Sequence, residues 1–337
     1  MGRTTTAGGR SSGARSSGAR WSVGRWSGAR WSVGRRAGAA ALGAAALVVT
    51  ACGGTDPAPA ASGSAASTAA STAGSTVDPE VVAEPGAVPP EATADGTGPS
   101  GAASPAAAPL DLADVEAEAA VRVGVHAVDT GTGRAVAWRQ DERFAYASTI
   151  KALAAAVVLQ RTDEAGLDEV VTYSADDLVP YSPVTEDRIE QGLPLRDAAA
   201  AAVEVSDNTA GNLLFEQVGG PAGLDAALQQ VGDDVTEVVR DEPELNEAAR
   251  GDTRDTSTPQ ALARTLRAYA VDDALDATDR EQLLAWLRGS TTGDALARSV
   301  VADGWTVGSK TGTGGYGTRN EVTVLTPPEA PRRWSWP

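Results

Sequence analysis

Only two of the 28 basic side chains in this 337-residue sequence are lysines; the other 26 are arginines. Lys151 closes the motif Ser148-Thr149-Ile150-Lys151, and Lys310 opens Lys310-Thr311-Gly312. An ammonium can release its proton when its pKa is depressed, whereas a guanidinium stays charged, so lysine is retained where proton transfer is needed. Ser148 stands at the start of an Ala/Leu/Val-rich stretch, Thr149 to Arg161, that reads as a helix. A hydroxyl there meets free backbone N–H groups and the positive end of the helix dipole, which favour developing negative charge. Lys151, three residues on, shares that helix face and reaches the Ser148 hydroxyl. In an apolar, charge-crowded site such a lysine acts as a base toward a serine nucleophile, the chemistry of acyl transfer. Ser-x-x-Lys alone is a weak signal, and codon bias could leave two lysines with no chemistry at all.

The elements that must position these groups can be read from periodicity. Asp111 to Ala120 is predicted helical, and Val121 to Val128 with Arg134 to Arg139 forms a hairpin around Asp129-Thr130-Gly131-Thr132-Gly133. Helical patterns recur in Leu195 to Val205, Ala210 to Val218, Ala222 to Val231, Pro259 to Val271 and Asp279 to Leu287. Strands return at Trp305 to Thr311 and Arg319 to Leu325. The expected class is α/β (α+β): an antiparallel sheet built from both ends of the domain, flanked by helices, beside an all-helical lobe.

Composition narrows the function. Residues 1–51 hold eight arginines and no acid, so the remainder carries 20 basic against 45 acidic side chains, a net −25. Such a body repels phosphate backbones, which argues against a nucleic-acid partner. One cysteine, Cys52, permits neither an internal disulfide nor a zinc cluster. The single histidine, His126, lies in the alternating stretch Val121 to Val128 and reads as a structural strand residue, which disfavours a Ser-His-Asp triad. No metal or organic cofactor is expected.

Arginine recurs every five residues from Arg10 to Arg35, a period of neither helix nor strand. The apolar run Ala37 to Ala51 follows, too short to span a bilayer, and with its basic flank it reads as a secretion signal. Val49-Thr50-Ala51-Cys52 resembles a bacterial lipobox, implying cleavage before Cys52, lipid on its thiol, and a membrane anchor on the outer face of the cell, with release as a secreted form the alternative. The repeat exceeds what a signal needs, so a translation start near Val33 is expected. Residues 53–109 are nearly all Ala, Ser, Thr, Gly and Pro with scattered acids, the composition of a disordered tether. The predicted organisation is therefore a signal over 1–51, a tether over 52–109 and a catalytic domain over 110–337, monomeric by default.

Four elements occur in order: Ser148-x-x-Lys151, Ser206-Asp207-Asn208, Glu242-Pro243-Glu244-Leu245-Asn246 and Lys310-Thr311-Gly312. Together they resemble a class A serine β-lactamase, a family of penicillin-recognising hydrolases, over residues 110–328. The resemblance implies that Ser148 opens the lactam ring, with the oxyanion held by the amides of Ser148 and Thr313. It implies that Lys151 poises the serine, that Ser206 relays a proton to the leaving nitrogen under Lys310, and that Asn208 binds the acylamino side chain. Lys310, Thr311 and Arg319 would cradle the substrate carboxylate, with Gly312 between them. Glu242, with Asn246 holding a water, would hydrolyse the acyl-enzyme. Arg240 and Asp255 would close the loop carrying Glu242, Asn212 would brace it, and Tyr181 would stand at the cleft entrance. A peptidoglycan DD-peptidase is the alternative enzyme, disfavoured by Glu242 and Asn246. A catalytically dead lipoprotein relic is the alternative outside enzymes.

The sequence departs from the family pattern at several positions. Ala147 and Gly314 stand where some relatives have a disulfide, and Ser309 replaces a common acid. Family members continue after the strand ending near Leu325 with a further strand and a closing helix, whereas the tail here runs Arg332-Arg333-Trp334-Ser335-Trp336. That strand would lie inside the sheet, between the hairpin and the Lys310 strand. Its absence would leave unpaired ladders, at about 1–3 kcal/mol for each buried polar group, against the ~5–15 kcal/mol of a whole domain. Poor stability and weak activity are the expectation.

Overall fold

The computed structural model describes residues 45–53, as backbone, and residues 107–328. The Arg-rich repeat, most of the expected signal and tether, and the tail after Pro328 lie outside the described residues.

In chain order the strands begin with β1 (Ala45–Gly53), β2 (Ala108–Pro109), β3 (Val121–Asp129) and β4 (Ala135–Trp138). Short β5 (Phe144–Ala145) pairs with β8 (Thr256–Ser257), and β6 (Val170–Val171) pairs with β7 (Leu193–Pro194). The last two are β9 (Thr306–Thr313) and β10 (Thr318–Thr326). The main sheet has the order β2-β4-β3-β1-β10-β9, antiparallel except where β2 joins β4. Pairing of Val125 with Trp138 sets the β3/β4 hairpin, and pairing of Val322 with Lys310 sets β10 against β9.

The interior position between the hairpin and the Lys310 strands, for which the sequence reading supplies no strand, is filled by β1. It runs antiparallel to both neighbours, with Val49 opposite Val125 on one side and Glu321 on the other. The β-branched Val48-Val49-Thr50 core of this segment suits an extended backbone. The same residues therefore satisfy the composition of a signal and that of an interior strand, and β1 crosses the expected boundary between signal and tether.

The helices are α1 (Ala113–Ala119), α2 (Ile150–Arg161), α3 (Glu164–Leu167), α4 (Leu195–Ala200), α5 (Asn208–Val218), α6 (Gly220–Gln230), α7 (Pro259–Ala270), α8 (Ala277–Gly289) and α9 (Ala297–Val300). Apolar on every side, α2 is buried from Ile150 to Leu159 and forms the axis of the core. Leu213, Leu214 and Phe215 of α5, Leu262 and Leu266 of α7, and Leu283 and Leu287 of α8 belong to the same core. Truncating one of these leucines to alanine costs ~2–5 kcal/mol. Starts of helices follow from local chemistry: Thr258 accepts from the Ala261 amide ahead of Pro259, and Asp276 accepts from the amides of Thr278 and Asp279. His126 lies in β3, buried and hydrogen-bonded to Gln140.

Candidate active site

Ser148 lies in the tight turn Ala147–Thr149 that leads into α2, after Ala147 with its φ of 47°. Because α2 is clamped in the core, the serine is fixed by elements that cannot shift without unpacking it. Lys151, one turn on and fully buried, donates to Ser148 Oγ at 3.1 Å, to the Ser206 carbonyl at 3.0 Å and to Asn208 Oδ1 at 2.6 Å. It also pairs with Glu242 Oε1 at 2.9 Å. Burial pushes the Lys151 ammonium pKa down from its ordinary value, and the Glu242 carboxylate partly offsets that.

Ser206 ends a π-helical turn, Ala201–Val205, and takes a left-handed conformation with φ 64°. Turns of this kind widen a helix and recur at functional sites. The hub of this loop is Asp207, a residue whose role the motif alone does not disclose. It is buried, caps α5 through the Ala210 amide at 2.8 Å, and accepts from the amides of Val184 and Thr185 at 2.8 and 2.9 Å. Asn208 is thereby aimed at Lys151, its amide nitrogen bound to the Pro180 carbonyl at 2.8 Å, while its backbone N–H donates to the Tyr181 carbonyl at 2.9 Å. Tyr181 stands at the rim, 62% exposed.

The opposite wall is β9. Lys310, fully buried, donates to Ser206 Oγ at 2.8 Å and to the Thr311 carbonyl at 2.7 Å. Burial and, behind it, repulsion from Lys151 hold its pKa well below the ordinary lysine value. Glycine is required at 312, because a Cβ there would come within 2.7 Å of the Tyr146 carbonyl. That close approach brings Thr311 and Thr313 beside the turn that carries Ser148. Thr311 shares a 2.7 Å hydrogen bond with Thr292, and Arg319 of β10 reaches the Thr313 hydroxyl at 3.5 Å.

Glu242 arrives on the loop between α6 and β8, preceding a cis bond to Pro243. Asn212 of α5 holds its backbone from both sides, donating to the Glu242 carbonyl and accepting from its amide, each at 2.8 Å. The loop is closed by Arg240, whose Nε pairs with Asp255 at 2.5 Å and whose guanidinium also binds Glu247. Asp255, almost wholly buried, further accepts the amides of Val239 and Arg240, each at 3.0 Å, and the Tyr146 hydroxyl at 3.1 Å. Burial and then the Asp255 charge raise the Tyr146 phenol pKa well above its usual value. Through Tyr146 the loop is tied to the turn that carries Ser148.

As a result, the Ser148 hydroxyl accepts from Lys151 and donates to Glu242 Oε1 at 2.9 Å. Asn246 donates to the other Glu242 oxygen, and among the described residues its own Oδ1 has no hydrogen-bond partner. These groups open on a cleft of about 630 Å³ lined by Ser148, Tyr181, Ser206, Asn208, Asn246, Thr311, Thr313 and Arg319. Two lysines and an arginine thus gather at one cleft in a protein of net charge −17, with Glu242 against Lys151. A hydroxyl between a base and a carboxylate, facing cationic donors, is equipped to attack a carbonyl in an anionic substrate. Cys52, by contrast, lies in β1.

Comparison with known proteins agrees with this geometry. A model of the β-lactamase enzyme family matches residues 110–332. The chain is 56% identical over 214 residues to a β-lactamase of Amycolatopsis lactamdurans, covering 64% of this chain and 71% of that protein. It is 48% identical over 219 residues to a β-lactamase of Bacillus licheniformis, covering 65% and 71%. Among solved structures, a class A β-lactamase from Clostridium kluyveri superposes with a TM-score of 0.64 at 43% identity, over 65% of this chain and 83% of that one. An ancestral class A β-lactamase gives 0.60 at 46% identity, over 66% and 91%. A family match over well more than half of the sequence, at these identities, fixes the assignment: the chain belongs to the β-lactamase enzyme family and, within it, to class A.

Proposed function

We propose that the protein hydrolyses β-lactam antibiotics through a serine acyl-enzyme. The observation that carries this reading is the position of Ser148 Oγ, 3.1 Å from Lys151 Nζ and 2.9 Å from Glu242 Oε1. In the first step Ser148 Oγ bonds to the lactam carbonyl carbon while its proton passes to the Lys151/Glu242 pair. The backbone N–H groups of Ser148 and Thr313 hold the oxyanion. Collapse breaks the carbon–nitrogen bond, and the nitrogen takes a proton through Ser206, whose hydroxyl Lys310 orients from 2.8 Å. The substrate carboxylate rests on Lys310, Thr311, Thr313 and Arg319, and its acylamino group on Asn208.

In the second step Glu242 draws a proton from water, the hydroxide attacks the ester carbonyl, and the proton returns to Ser148 as the acid product leaves. The unpartnered Asn246 Oδ1 beside Glu242 supports this role, since it can accept a hydrogen bond from that water. Nitrocefin turnover with intact-mass detection provides the test. Ser148→Ala abolishes both turnover and acylation, whereas Glu242→Ala leaves a penicilloyl adduct on the protein. Normal turnover by Glu242→Ala refutes the deacylation step. Stoichiometric acylation without turnover by the unaltered protein would point instead to a DD-peptidase.

A further inference from the structure

We propose that Glu321 is a positioning residue for the substrate carboxylate, holding segment 291–297 against β9 so that Thr292 fixes the Thr311 hydroxyl. Thr311 is taken as a donor to that carboxylate, which rests on the hydrolytic reading above. Glu321 is buried on β10 and stands directly across the ladder from Thr311. Its Oε2 accepts from the Ala297 amide at 2.9 Å, tying β10 to the far end of the segment. At the near end Thr292 shares its 2.7 Å hydrogen bond with Thr311. Gly293 stands between the two. A Cβ there would lie 2.8 Å from Ser309 Oγ, 2.9 Å from Glu321 Oε1 and 3.5 Å from the Thr311 methyl carbon. The segment is therefore pressed onto both strands without the spacing a side chain would impose. Arg298 closes its outer side, donating to the Ser290 carbonyl at 2.6 Å and to Asp294 at 2.8 Å.

Glu321 Oε1 and Ser309 Oγ are both buried without a hydrogen-bond partner among the described residues, and they flank the same point beside Gly293. Burial raises the Glu321 carboxyl pKa above its ordinary value, against the opposing pull of the Ala297 amide, the nearby Ser309 hydroxyl and the Arg298 and Arg319 charges. A neutral carboxyl can offer its Oε1–H to Ser309 Oγ while Oε2 keeps the Ala297 amide, so one proton serves both orphaned oxygens without a buried charge. Glu321 touches no substrate in this arrangement. It acts through Thr292 on the one face of Thr311 that looks into the cleft.

Two substitutions separate this role from general support of the fold. Glu321→Leu keeps the bulk but cannot accept from Ala297, whereas Glu321→Gln keeps an acceptor and a donor and carries no charge. The probes are benzylpenicillin and its methyl ester, which has no carboxylate for Thr311 to bind, with the rate of Ser148 acylation read by intact mass. Glu321→Leu is expected to slow acylation by benzylpenicillin about tenfold, the worth of one weakened hydrogen bond to a charged group, and to leave acylation by the ester unchanged. Glu321→Gln is expected to match the parent on both. Thr292→Val, which removes the hydroxyl shared with Thr311, is expected to repeat the selective loss and decides the matter where Glu321→Leu does not melt cooperatively. An equal loss on both substrates, a loss on neither, or a Glu321→Gln chain as impaired as Glu321→Leu overturns the proposal. Acylation of the parent without turnover would fail the hydrolytic reading alone, since the selectivity is read before deacylation.

Discussion

The two lysines are both buried to the last atom, yet they occupy opposite electrostatic situations. Lys151, on the helical wall, faces a carboxylate at 2.9 Å and three further acceptors. Lys310, on the sheet wall, among the described residues donates to a hydroxyl and a carbonyl, and after burial the largest influence on it is the like charge of Lys151. Burial depresses both ammoniums and the Glu242 charge opposes it on both walls, but only on the helical side is that carboxylate in direct contact. In the proposed mechanism the same residue type serves as half of a proton-transfer pair on one wall and as an orienting donor on the other. Burial thus disfavours the charge on both walls, and the helical wall differs in holding a carboxylate against its cation, so that removing either partner there strands the other.

Replacing each lysine in turn breaks this contrast most directly. Lys151→Met leaves Glu242 buried without its partner. Turnover should fall ~10²–10⁴-fold, the range for loss of an acid–base group, and stability by about 3–5 kcal/mol as a buried pair is broken. Nitrocefin kinetics and urea unfolding measure the two effects. Lys310→Met removes a cation that no carboxylate pairs, so its urea midpoint should hold or rise. Its kcat/KM should nevertheless drop roughly 10–150-fold, equivalent to one charged hydrogen bond of about 1.5–3 kcal/mol. Equal destabilisation by both substitutions would erase the distinction.

Asp255→Asn probes the helical wall through its loop, and a loss of ~1–3 kcal/mol is expected where a buried acceptor is weakened. Calorimetry should also find that adding Lys310→Met leaves that loss unchanged. The smallest effect is in pH. Between its lowered value and the ordinary 10.5, Lys310 binds fewer protons in the native chain than in the unfolded one. Stability should therefore rise with pH across that window and be lost as pH falls through the lowered value. Melting midpoints from pH 6 to 9 should climb less steeply in Lys310→Met than in the parent. Parallel curves would return the slope to Lys151 alone.

Much of this arrangement was legible in the sequence because it is local. Ser148 and Lys151 share one helical face, the alternation in Val121 to Val128 announces β3, and Pro259 after Thr258 announces α7. The four motifs also named the walls of the cleft before their distances were known. Asp207 was harder to read, since its partners Val184 and Thr185 lie over 20 residues away and no local pattern points to them. The link from Asp255 through Tyr146 to the turn that carries Ser148 spans 109 residues and is equally silent. β1 was illegible for another reason. A short apolar run without period fits a signal and an interior strand equally well, and only its partners across the sheet distinguish them.

The absent side chain at Gly312 has a consequence for how substrate range can evolve. Main chain meets main chain at the floor of the cleft, where the Tyr146 carbonyl lies 2.7 Å from the point a methyl group would occupy. No substitution of neighbouring side chains can widen that seam, and none at 312 itself is tolerated without parting the two walls. Adaptation to bulkier drugs is thus channelled to the mouth, where Tyr181, 62% exposed, can be exchanged without disturbing the floor.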